Sequence, residues 1–172
     1  IGIKDVVVVI PIYKSSINSD EIDSLQQCFK VLSKYNITFV GPENLDTSLY
    51  EEYCAKSDIK FCFEKFESSF FESNNAYNQF CLSTEFYERF DDYVYLLIYQ
   101  LDAWVFRDEL LYWCRQGYDY IGAPFDKSYF KKFGLGNYDY GNGGFCLRKI
   151  SSMIKLTSKG IKNKNLKKYL SL

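Results

Sequence analysis

Residues 5–13 read DVVVVIPIY, a run of β-branched residues with no alternation between polar and apolar positions. This pattern is typical of a strand that is buried on both faces, as in a parallel sheet. Polar residues at 18–21 predict the start of a helix, whose apolar face recurs every three or four residues: Ile22, Leu25, Phe29 and Leu32. A strand at 37–41, a helix at 49–55 and a strand at 59–63 follow. This order predicts an α/β sheet with right-handed crossovers.

The second half of the chain continues the pattern of strands and helices. Residues 93–99, YVYLLIY, are hydrophobic on both faces and predict a central strand. Helices are predicted before and after it, at 76–90 and 108–115. Two further strands, at 118–121 and 144–147, are separated by a loop rich in Gly, Tyr and Lys, and the last strand leads into a basic helix.

The composition is that of one globular domain. The chain has 172 residues, 47% of them apolar, which suits a single domain over residues 1–172 that we expect to be cut short at its carboxyl end. Histidine is absent, which excludes Ser-His-Asp and Cys-His catalysis and zinc sites with a histidine ligand. The six cysteines form no C-x-x-C pair, and we predict that they are buried small hydrophobes in a protein of the reducing cytoplasm.

Positive charge is concentrated at the carboxyl end. Residues 148–172 hold eight of the 21 basic residues and none of the 22 acidic ones, so the rest of the chain carries a net charge of −9. Such a segment can rest on an anionic membrane surface, or it can be an ordinary solvated helix. Because the acidic body would repel phosphates, no nucleic acid is expected as a partner.

Ligands bind open α/β sheets beyond the carboxyl ends of the strands. Three segments are predicted to meet there: residues 11–14 after the first strand, residues 100–104 after the central strand, and residues 141–145 at the start of the last. Asp102 is the most informative of these residues, since a carboxylate directly after a buried strand is costly without a partner. A divalent cation that also holds phosphate oxygens is one such partner. The alternative is an aspartate that caps a turn or pairs with Arg107.

A glycine-rich sequence, GNGGF, occupies residues 141–145 and opens the last predicted strand. Glycines remove side chains where a backbone turns sharply or where a ligand approaches closely, and both interpretations remain open. The sequence is not a dinucleotide-binding fingerprint, because it opens a strand rather than a helix, and the chain has no P-loop motif. Aromatic residues that suit sugar rings or nucleobases precede it: Tyr129, Phe130, Tyr138 and Tyr140.

Three motifs carry a resemblance to a known family: IYQLDAWVF at 98–106, YDYIGAPF at 118–125 and GNGGFCLRK at 141–149. With VVVVIPIY at 6–13 and YNQFCLSTEFYERF at 77–90, they resemble a glycosyltransferase-like family, much of which is catalogued as a domain of unknown function. More distantly, the chain is similar to nucleotide-sugar transferases of the GT-A fold. The resemblance implies a GT-A-like α/β fold, in which a mostly parallel sheet is flanked by helices.

The resemblance also implies roles for individual residues. Asp102 falls on the first acid of a motif that holds Mn²⁺ and the sugar diphosphate, with Gln100 beside it, whereas Trp104 replaces the second acid. Tyr77 falls on a helix that often touches the donor. The remaining positions belong to the turn that cradles the nucleoside and to the wall beneath the sugar: Pro11, Ile12, Tyr13, Asn142, Gly143 and Gly144.

We therefore predict a glycosyltransferase that moves a sugar from a nucleotide sugar, such as a UDP-sugar, to a glycan or lipid-linked acceptor in polysaccharide biosynthesis. Its metal would be Mn²⁺ or Mg²⁺. Sugar transfer needs groups that stabilise the leaving diphosphate, for which Lys14 and Arg148 are candidates. It often needs a carboxylate base as well, for which Asp126 and Asp139 are candidates.

Two other functions remain open. Trp104 in place of the second acid, and the lack of any acid after Asp139, fit a degenerate module that binds nucleotides or glycans without turnover. A nucleotidyltransferase can share this sheet topology. It normally has a glycine-rich loop after the first strand, however, where this chain has PIYKSS at 11–16.

Overall fold

The computed structural model describes residues 1–124 and 141–159. The strands within these residues are β1 (Val6–Pro11), β2 (Asn36–Pro42), β3 (Phe63–Phe66), β4 (Tyr95–Tyr99), β5 (Tyr120–Pro124) and β6 (Gly141–Lys149). The α-helices are α1 (Ser19–Leu32), α2 (Ser48–Lys56), α3 (Asn74–Phe80), α4 (Thr84–Glu88), α5 (Leu110–Arg115) and α6 (Ile150–Ser158).

The strands form one six-stranded sheet in the order β3-β2-β1-β4-β6-β5. Strands β3, β2, β1 and β4 run parallel to one another, and β1 pairs with β4 from Val6 opposite Tyr95 to Val9 opposite Ile98. Strand β6 runs antiparallel to both of its neighbours, β4 and β5. The prediction of a mostly parallel α/β sheet is confirmed, with β6 as its antiparallel member.

Apolar cores cover both faces of the sheet, as the continuous hydrophobic strands require. Every residue of β1 is buried, and its side chains alternate between the two cores. One core packs the sheet against α1, α2 and α5, and the other packs it against α3, α4 and α6. Helices cover both faces, so the ends of the central strands are where a polar ligand reaches the middle of the sheet most directly.

Helix α1 begins with the cap that its sequence predicts. The Asn18 side chain accepts a 2.9 Å hydrogen bond from the Glu21 amide, and the Glu21 carboxylate accepts one of 2.9 Å from the Asn18 amide. This reciprocal pair satisfies two amides that the first turn would otherwise leave free. The buried residues of the helix include the predicted Leu25, Phe29 and Leu32.

Two predicted elements differ from the structure. The third strand was expected at 59–63 but lies at Phe63–Phe66, where it pairs with β2. The single helix expected at 76–90 is two helices, α3 and α4, because the Ser83 hydroxyl caps a new helix by accepting a 3.2 Å hydrogen bond from the Phe86 amide. The extended backbone that a cap requires interrupts the first helix.

All six cysteines are free, and five of them are buried: Cys28, Cys54, Cys81, Cys114 and Cys146. The prediction that they act mainly as small buried hydrophobes is confirmed. Across the described residues, each helix is too short or too polar to span a bilayer.

Candidate functional site

The carboxyl ends of β1 and β4 lie side by side, because these two strands are parallel neighbours. The start of β6 reaches the same edge, since its antiparallel register places Phe145 opposite Tyr99. Just beyond that pair, the Gln100 amide donates a 2.8 Å hydrogen bond to the Gly144 carbonyl. The structure thus brings together the three segments in which the sequence placed ligand contacts.

The loop that follows β4 is held by side chains of α1. The Ser24 hydroxyl donates a 2.6 Å hydrogen bond to the Ala103 carbonyl, and the Gln27 amide nitrogen donates one of 2.7 Å to the Val105 carbonyl. The buried Tyr99 hydroxyl lies 3.0 Å from the Ser24 hydroxyl. This polar cluster fixes the backbone at Ala103 and at Val105. Sequence reasoning missed Ser24, although a serine beside the apolar stripe of a helix was a signal for it.

Asp102 projects from this fixed loop into solvent. Within residues 1–124 and 141–159, no hydrogen bond or ion pair engages its carboxylate. Arg107 instead pairs with Glu109, with 2.9 Å between nitrogen and oxygen. The alternative in which Asp102 pairs with Arg107 is therefore wrong. An acid that its own fold leaves free, at the carboxyl edge of a buried strand, is available to a cation or a ligand.

The turn after β1 is held from two sides. The Ile12 amide donates to the Val40 carbonyl over 2.8 Å, and the Tyr50 hydroxyl on α2 donates to the Lys14 carbonyl over 2.7 Å. The Lys14 ammonium lies 2.8 Å from a Glu21 carboxylate oxygen, and this hydrogen bond raises the pKa of Lys14. Lys14 is thus charged and already paired with α1.

The turn also presents an aromatic ring. The side chain of Tyr13 is 60% exposed, so the ring is open to a ligand at this edge. Its two neighbours before it, Pro11 and Ile12, are both buried. Of the predicted nucleoside contacts, Tyr13 is therefore the side chain that solvent reaches, whereas Pro11 and Ile12 shape the turn.

Arg148 lies on β6 beneath the candidate site and is almost fully buried. Its guanidinium donates to the Tyr87 hydroxyl, to the Cys81 carbonyl over 3.2 Å and to the Cys146 sulfur over 3.1 Å. Burial raises the pKa of Tyr87 to about 12, so its phenol is neutral at pH 7. The guanidinium thereby ties β6 to the junction between α3 and α4, at an exposure of 4% that keeps solvent away from it.

Tyr77 and Gln100, both predicted donor contacts, lie next to each other. Burial raises the pKa of the Tyr77 phenol well above its ordinary value, while a hydrogen bond with the Gln100 side chain opposes that rise. Gly143 lies on β6 close to Arg148, since a Cβ atom there would be 3.5 Å from a guanidinium nitrogen. The backbone of Asn142 pairs with Ala123 in the sheet.

Both base candidates, Asp126 and Asp139, lie outside the described residues, as do the side chain of Asn142 and the aromatic residues of the preceding loop. In the described ranges, no group of three or more Cys, Asp or Glu residues converges as a metal cluster would. Among the described residues, the candidate donors to a cation at this edge are the Asp102 carboxylate and, two residues before it, the side-chain amide of Gln100. Such a set suits a hard cation that takes its other ligands from phosphates and water.

A second feature adjoins the loop and was not predicted. An apolar pocket of about 510 Å³ lies between α5 and the sheet strands β4, β5 and β6. Its lining includes both tryptophans of the chain, Trp104 and Trp113. The sequence carried one signal, because aromatic residues cluster at 104, 106, 112 and 113.

A family profile described as "Protein of unknown function (DUF5672)" matches residues 60–170, which is more than half of the chain. The chain belongs to this family. The resemblance to a domain-of-unknown-function family that the motifs suggested is thus confirmed at the level of the family. A search among curated proteins gives no match.

Three solved structures illustrate the likeness in fold. Core-mannan synthase A from Aspergillus fumigatus, in its Mn/GDP form, superposes with a TM-score of 0.61 at 12% identity, over 98% of this chain and 64% of that one. The mannosyltransferase PcManGT from Pyrobaculum calidifontis, in complex with GDP-Man and Mn²⁺, gives 0.58 at 12% identity, over 88% and 46%. TarS 1–349 from S. aureus gives 0.52 at 12% identity, over 96% and 54%.

These likenesses establish the fold. The six-stranded sheet with flanking helices is a GT-A-like glycosyltransferase fold, as predicted. The DUF5672 chain spans about half to two thirds of the length of these three proteins. At 12% identity, the shared fold does not by itself transfer a substrate to this chain.

Proposed function

We propose that this chain is a glycosyltransferase domain, which binds a nucleotide sugar at the carboxyl edge of its sheet and transfers the sugar to a glycan or lipid-linked acceptor. One observation carries the proposal. The Asp102 carboxylate is exposed and free of partners among the described residues, on a loop that Ser24 and Gln27 hold by hydrogen bonds of 2.6 and 2.7 Å. A fold that fixes a backbone but leaves its acid unpaired favours a ligand role for that acid.

The chemistry needs a group that offsets charge on the departing diphosphate. A bound Mn²⁺ or Mg²⁺ would supply that positive charge next to the phosphate oxygens. We propose that the Asp102 carboxylate holds it, with the Gln100 amide oxygen as a weaker neighbour. Two relatives in fold, core-mannan synthase A and PcManGT, were solved with manganese and a guanosine diphosphate or its mannose ester, which supports this assignment.

The remaining donor contacts are proposed from their place at the same edge. The exposed Tyr13 ring suits the nucleobase, and Tyr77 with Gln100 suits the ribose or the diphosphate. Lys14 could reach the diphosphate if it exchanged Glu21 for a phosphate oxygen. Contacts to the sugar are assigned to the start of β6: Asn142, Gly143 and Gly144.

Arg148 acts differently in this proposal. Its buried guanidinium contributes positive potential behind the diphosphate rather than a direct contact, since little of it is accessible. Asp126 and Asp139 stay the proposed sources of the base that takes the acceptor proton. Both acids precede Gly144 in the chain, and Asp139 is only five residues before it.

The experiment is a titration of the protein with GDP and with UDP, each in the presence and absence of Mn²⁺, by isothermal calorimetry. We expect metal-dependent binding of at least one nucleotide, and a loss of about tenfold or more in its affinity in Asp102→Ala. Asp92→Ala is the matched control, because Asp92 is an exposed acid just before the opposite end of β4. An Asp102→Ala variant that binds both nucleotides like the wild type would refute the proposal.

A second function is favoured by Trp104, which stands where related metal motifs have their second acid. In this alternative, the domain binds a nucleotide or a glycan and performs no transfer. Release of free sugar from a panel of nucleotide sugars separates the two, because a transferase hydrolyses its donor slowly when no acceptor is present. Tight nucleotide binding without any release of sugar would support the binding module.

We also propose that the domain works in polysaccharide biosynthesis in the cytoplasm, where free cysteines are stable, and touches membranes through its lysine-rich carboxyl end. Three of those lysines lie in or beside α6: Lys149, Lys155 and Lys159. Sedimentation with anionic and with neutral lipid vesicles tests the contact. We expect binding to the anionic vesicles alone, and a loss of that binding as salt is raised.

A further inference from the structure

The apolar pocket beside α5 offers a second binding site. Its floor is formed by side chains of the sheet, among them Leu97 on β4, Ile121 on β5 and Leu147 on β6. Three aromatic residues at its edge keep much of their surface in water, with exposures of 46% for Trp104, 85% for Phe106 and 40% for Trp113. Large aromatic side chains left uncovered around a cavity are typical of a surface that takes an apolar ligand.

Within the described part of the chain, the pocket has no net charge that would attract a charged ligand. Arg107 and Glu109 are the charged residues among those that line it, and they neutralise each other across 2.9 Å. The other lining residues are hydrophobic or aromatic, apart from Gly122 and Cys146. Sugar hydroxyl groups would find few hydrogen-bond partners here. The free-energy cost of removing water from a glycan would therefore exceed the free energy gained from contacts in the pocket. A hydrocarbon ligand carries no such cost.

The size of the pocket fits such a ligand. A volume of about 510 Å³ lies within the range of roughly 300–1,000 Å³ that is usual for small-molecule sites. It therefore accommodates a chain of many methylene groups. Leu32, on α1, also lines the pocket, so the cavity extends beneath the same helix that anchors the loop after β4.

The pocket is continuous with the candidate donor site. Trp104 lies two residues after Asp102 on the loop that Ser24 holds. On the other strand, Phe145 lines the pocket, and its neighbour Gly144 accepts the 2.8 Å hydrogen bond from the Gln100 amide. The same two backbone segments therefore border both sites. A ligand in the pocket would have its open end near the edge at which a donor would bind.

We propose that this pocket binds the hydrocarbon chain of a lipid-linked acceptor, an inference that rests on the transferase function proposed above. The chain fills the apolar space between α5 and the sheet, under Trp104 and Trp113. The polar head of the same molecule then faces the loop that carries Asp102. This assignment selects the lipid-linked acceptor over the free glycan.

Intrinsic fluorescence gives a direct test, because the protein has two tryptophans and both line the pocket. The probe is n-decyl β-maltoside, used below its critical micelle concentration, and maltose is the control with the same head group but no chain. We expect a saturable blue shift of the emission with decyl maltoside and none with maltose. Equal responses to the two compounds, or no saturable response to either, would overturn the proposal.

A series of alkyl maltosides from hexyl to dodecyl adds a measurement that needs no variant. Each added methylene is expected to tighten binding by up to about fourfold, the factor that corresponds to about 0.8 kcal/mol per buried methylene. The gain should stop once the chain fills the cavity. Affinity that is independent of chain length would contradict burial of the chain.

A matched pair of substitutions locates the site. Ile121→Phe adds bulk to the pocket, whereas Ile154→Phe adds the same bulk to α6 on the opposite face of the sheet. Neither change removes a tryptophan. We expect Ile121→Phe to weaken decyl maltoside binding at least tenfold and Ile154→Phe to leave it unchanged. Circular dichroism verifies that both variants fold, and equal binding by both folded variants would place the probe elsewhere.

Failure of the acceptor assignment can be distinguished from failure of the proposed transferase function. Nucleotide binding is measured on the same Ile121→Phe protein, and we expect it to match the wild type, since the pocket is lined by other residues than Asp102. Transfer to an alkyl glycoside should then fall while donor hydrolysis is retained. Equal transfer to alkyl glycosides by the wild type and Ile121→Phe would overturn the acceptor assignment. Saturable alkyl binding without any nucleotide binding would instead overturn the transferase function.

Discussion

The hydroxyl of Ser24 donates a 2.6 Å hydrogen bond to the carbonyl of Ala103, a residue 79 positions further along the chain. The bond joins the buried side of α1 to the loop after β4, one residue beyond Asp102. The Tyr99 hydroxyl contacts both partners of this bond, at 3.0 Å from the Ser24 hydroxyl and 3.2 Å from the Ala103 carbonyl. The position of the candidate ligand acid is thus set by a helix that is remote in sequence.

Ser24→Ala tests this anchoring. The substitution removes one buried hydrogen bond, so we expect a loss of about 1 kcal/mol in the free energy of unfolding. We also expect weaker metal-dependent nucleotide binding, because the loop carrying Asp102 becomes less ordered while the acid itself remains. Ser19→Ala on the exposed start of the same helix is the control for both urea unfolding and calorimetry. Nucleotide affinity that is equal in both variants would contradict a positioning role for Ser24.

Tyr87→Phe tests how the buried guanidinium of Arg148 is tolerated. The phenol is a neutral partner of this charge, and a buried charged group that loses a hydrogen bond is destabilised by about 1.5–3 kcal/mol. We expect a loss of about 2 kcal/mol in the wild-type background by urea unfolding. In the Arg148→Met background the same change should cost only about 1 kcal/mol, since the hydroxyl then loses only its 2.7 Å hydrogen bond to the Cys81 carbonyl. An equal cost in both backgrounds would show that the two groups are not coupled.

Asp108→Asn tests a pH-dependent contribution to stability. Burial alone would raise the pKa of Asp108, but hydrogen bonds from Lys34, the Leu110 amide and Tyr35 outweigh it, so the pKa is lowered. A lowered pKa stabilises the fold above the unfolded value of about 3.9, and this stability is lost as the pH falls through the folded value. We expect the variant to be about 1 kcal/mol less stable at pH 7, a modest figure because the side chain is partly exposed.

The measurement is urea unfolding of the wild type and Asp108→Asn at pH 7 and at pH 3. The difference between them should narrow as the pH falls from 7 to 3, because the Asp108 carboxyl of the unfolded wild type takes up a proton below about 3.9. Glu109→Gln is the control, because Glu109 forms an exposed ion pair with Arg107 and should contribute little at either pH. A difference that stays constant with pH would show that ionisation of Asp108 does not contribute.

Gly41→Ala tests the close approach of β2 to the turn after β1. A Cβ atom at this position would lie 2.4 Å from the Ile12 carbonyl oxygen and 3.2 Å from the Phe63 ring. Backbone must move to relieve the first contact, so we expect a loss of about 2 kcal/mol or more in thermal unfolding. Gly2→Ala is the matched control, since a Cβ atom there meets nothing within 4 Å. Equal stability of the two variants would contradict the close approach.

The predicted third strand shows what an apolar pattern can and cannot reveal. Ile59, Phe61 and Phe63 are partly buried against the core, so the alternation at 59–63 correctly indicated burial. The strand itself begins only at Phe63, where β2 offers a partner in the register of Phe39 opposite Phe63. The local residue types indicate which side chains are buried, whereas the extent of a strand depends on a partner strand more than twenty residues away.

The candidate site shows the same division. The sequence singled out Asp102 because an acid follows a hydrophobic strand, and the structure leaves that acid free among the described residues. The hydrogen bonds from Ser24 and Gln27 could not be predicted, because nothing local connects α1 with residues 103 and 105. The apolar pocket was missed for a related reason, since it is lined by parts of α1, α5 and three strands.

The amino-acid sequence by itself determined that β1 and β4 are covered on both faces, and hence that helices must flank a sheet with an acid at its edge. Continuous hydrophobic strands must be covered on both faces in water, and the alternation of strand and helix patterns along the chain makes helices the cover. Only the tertiary structure decided that β6 runs antiparallel, that Gly144 meets Gln100 and that Arg148 is buried. Residue patterns record how deeply a strand is buried, but its direction and its partners follow from the packing of the whole chain.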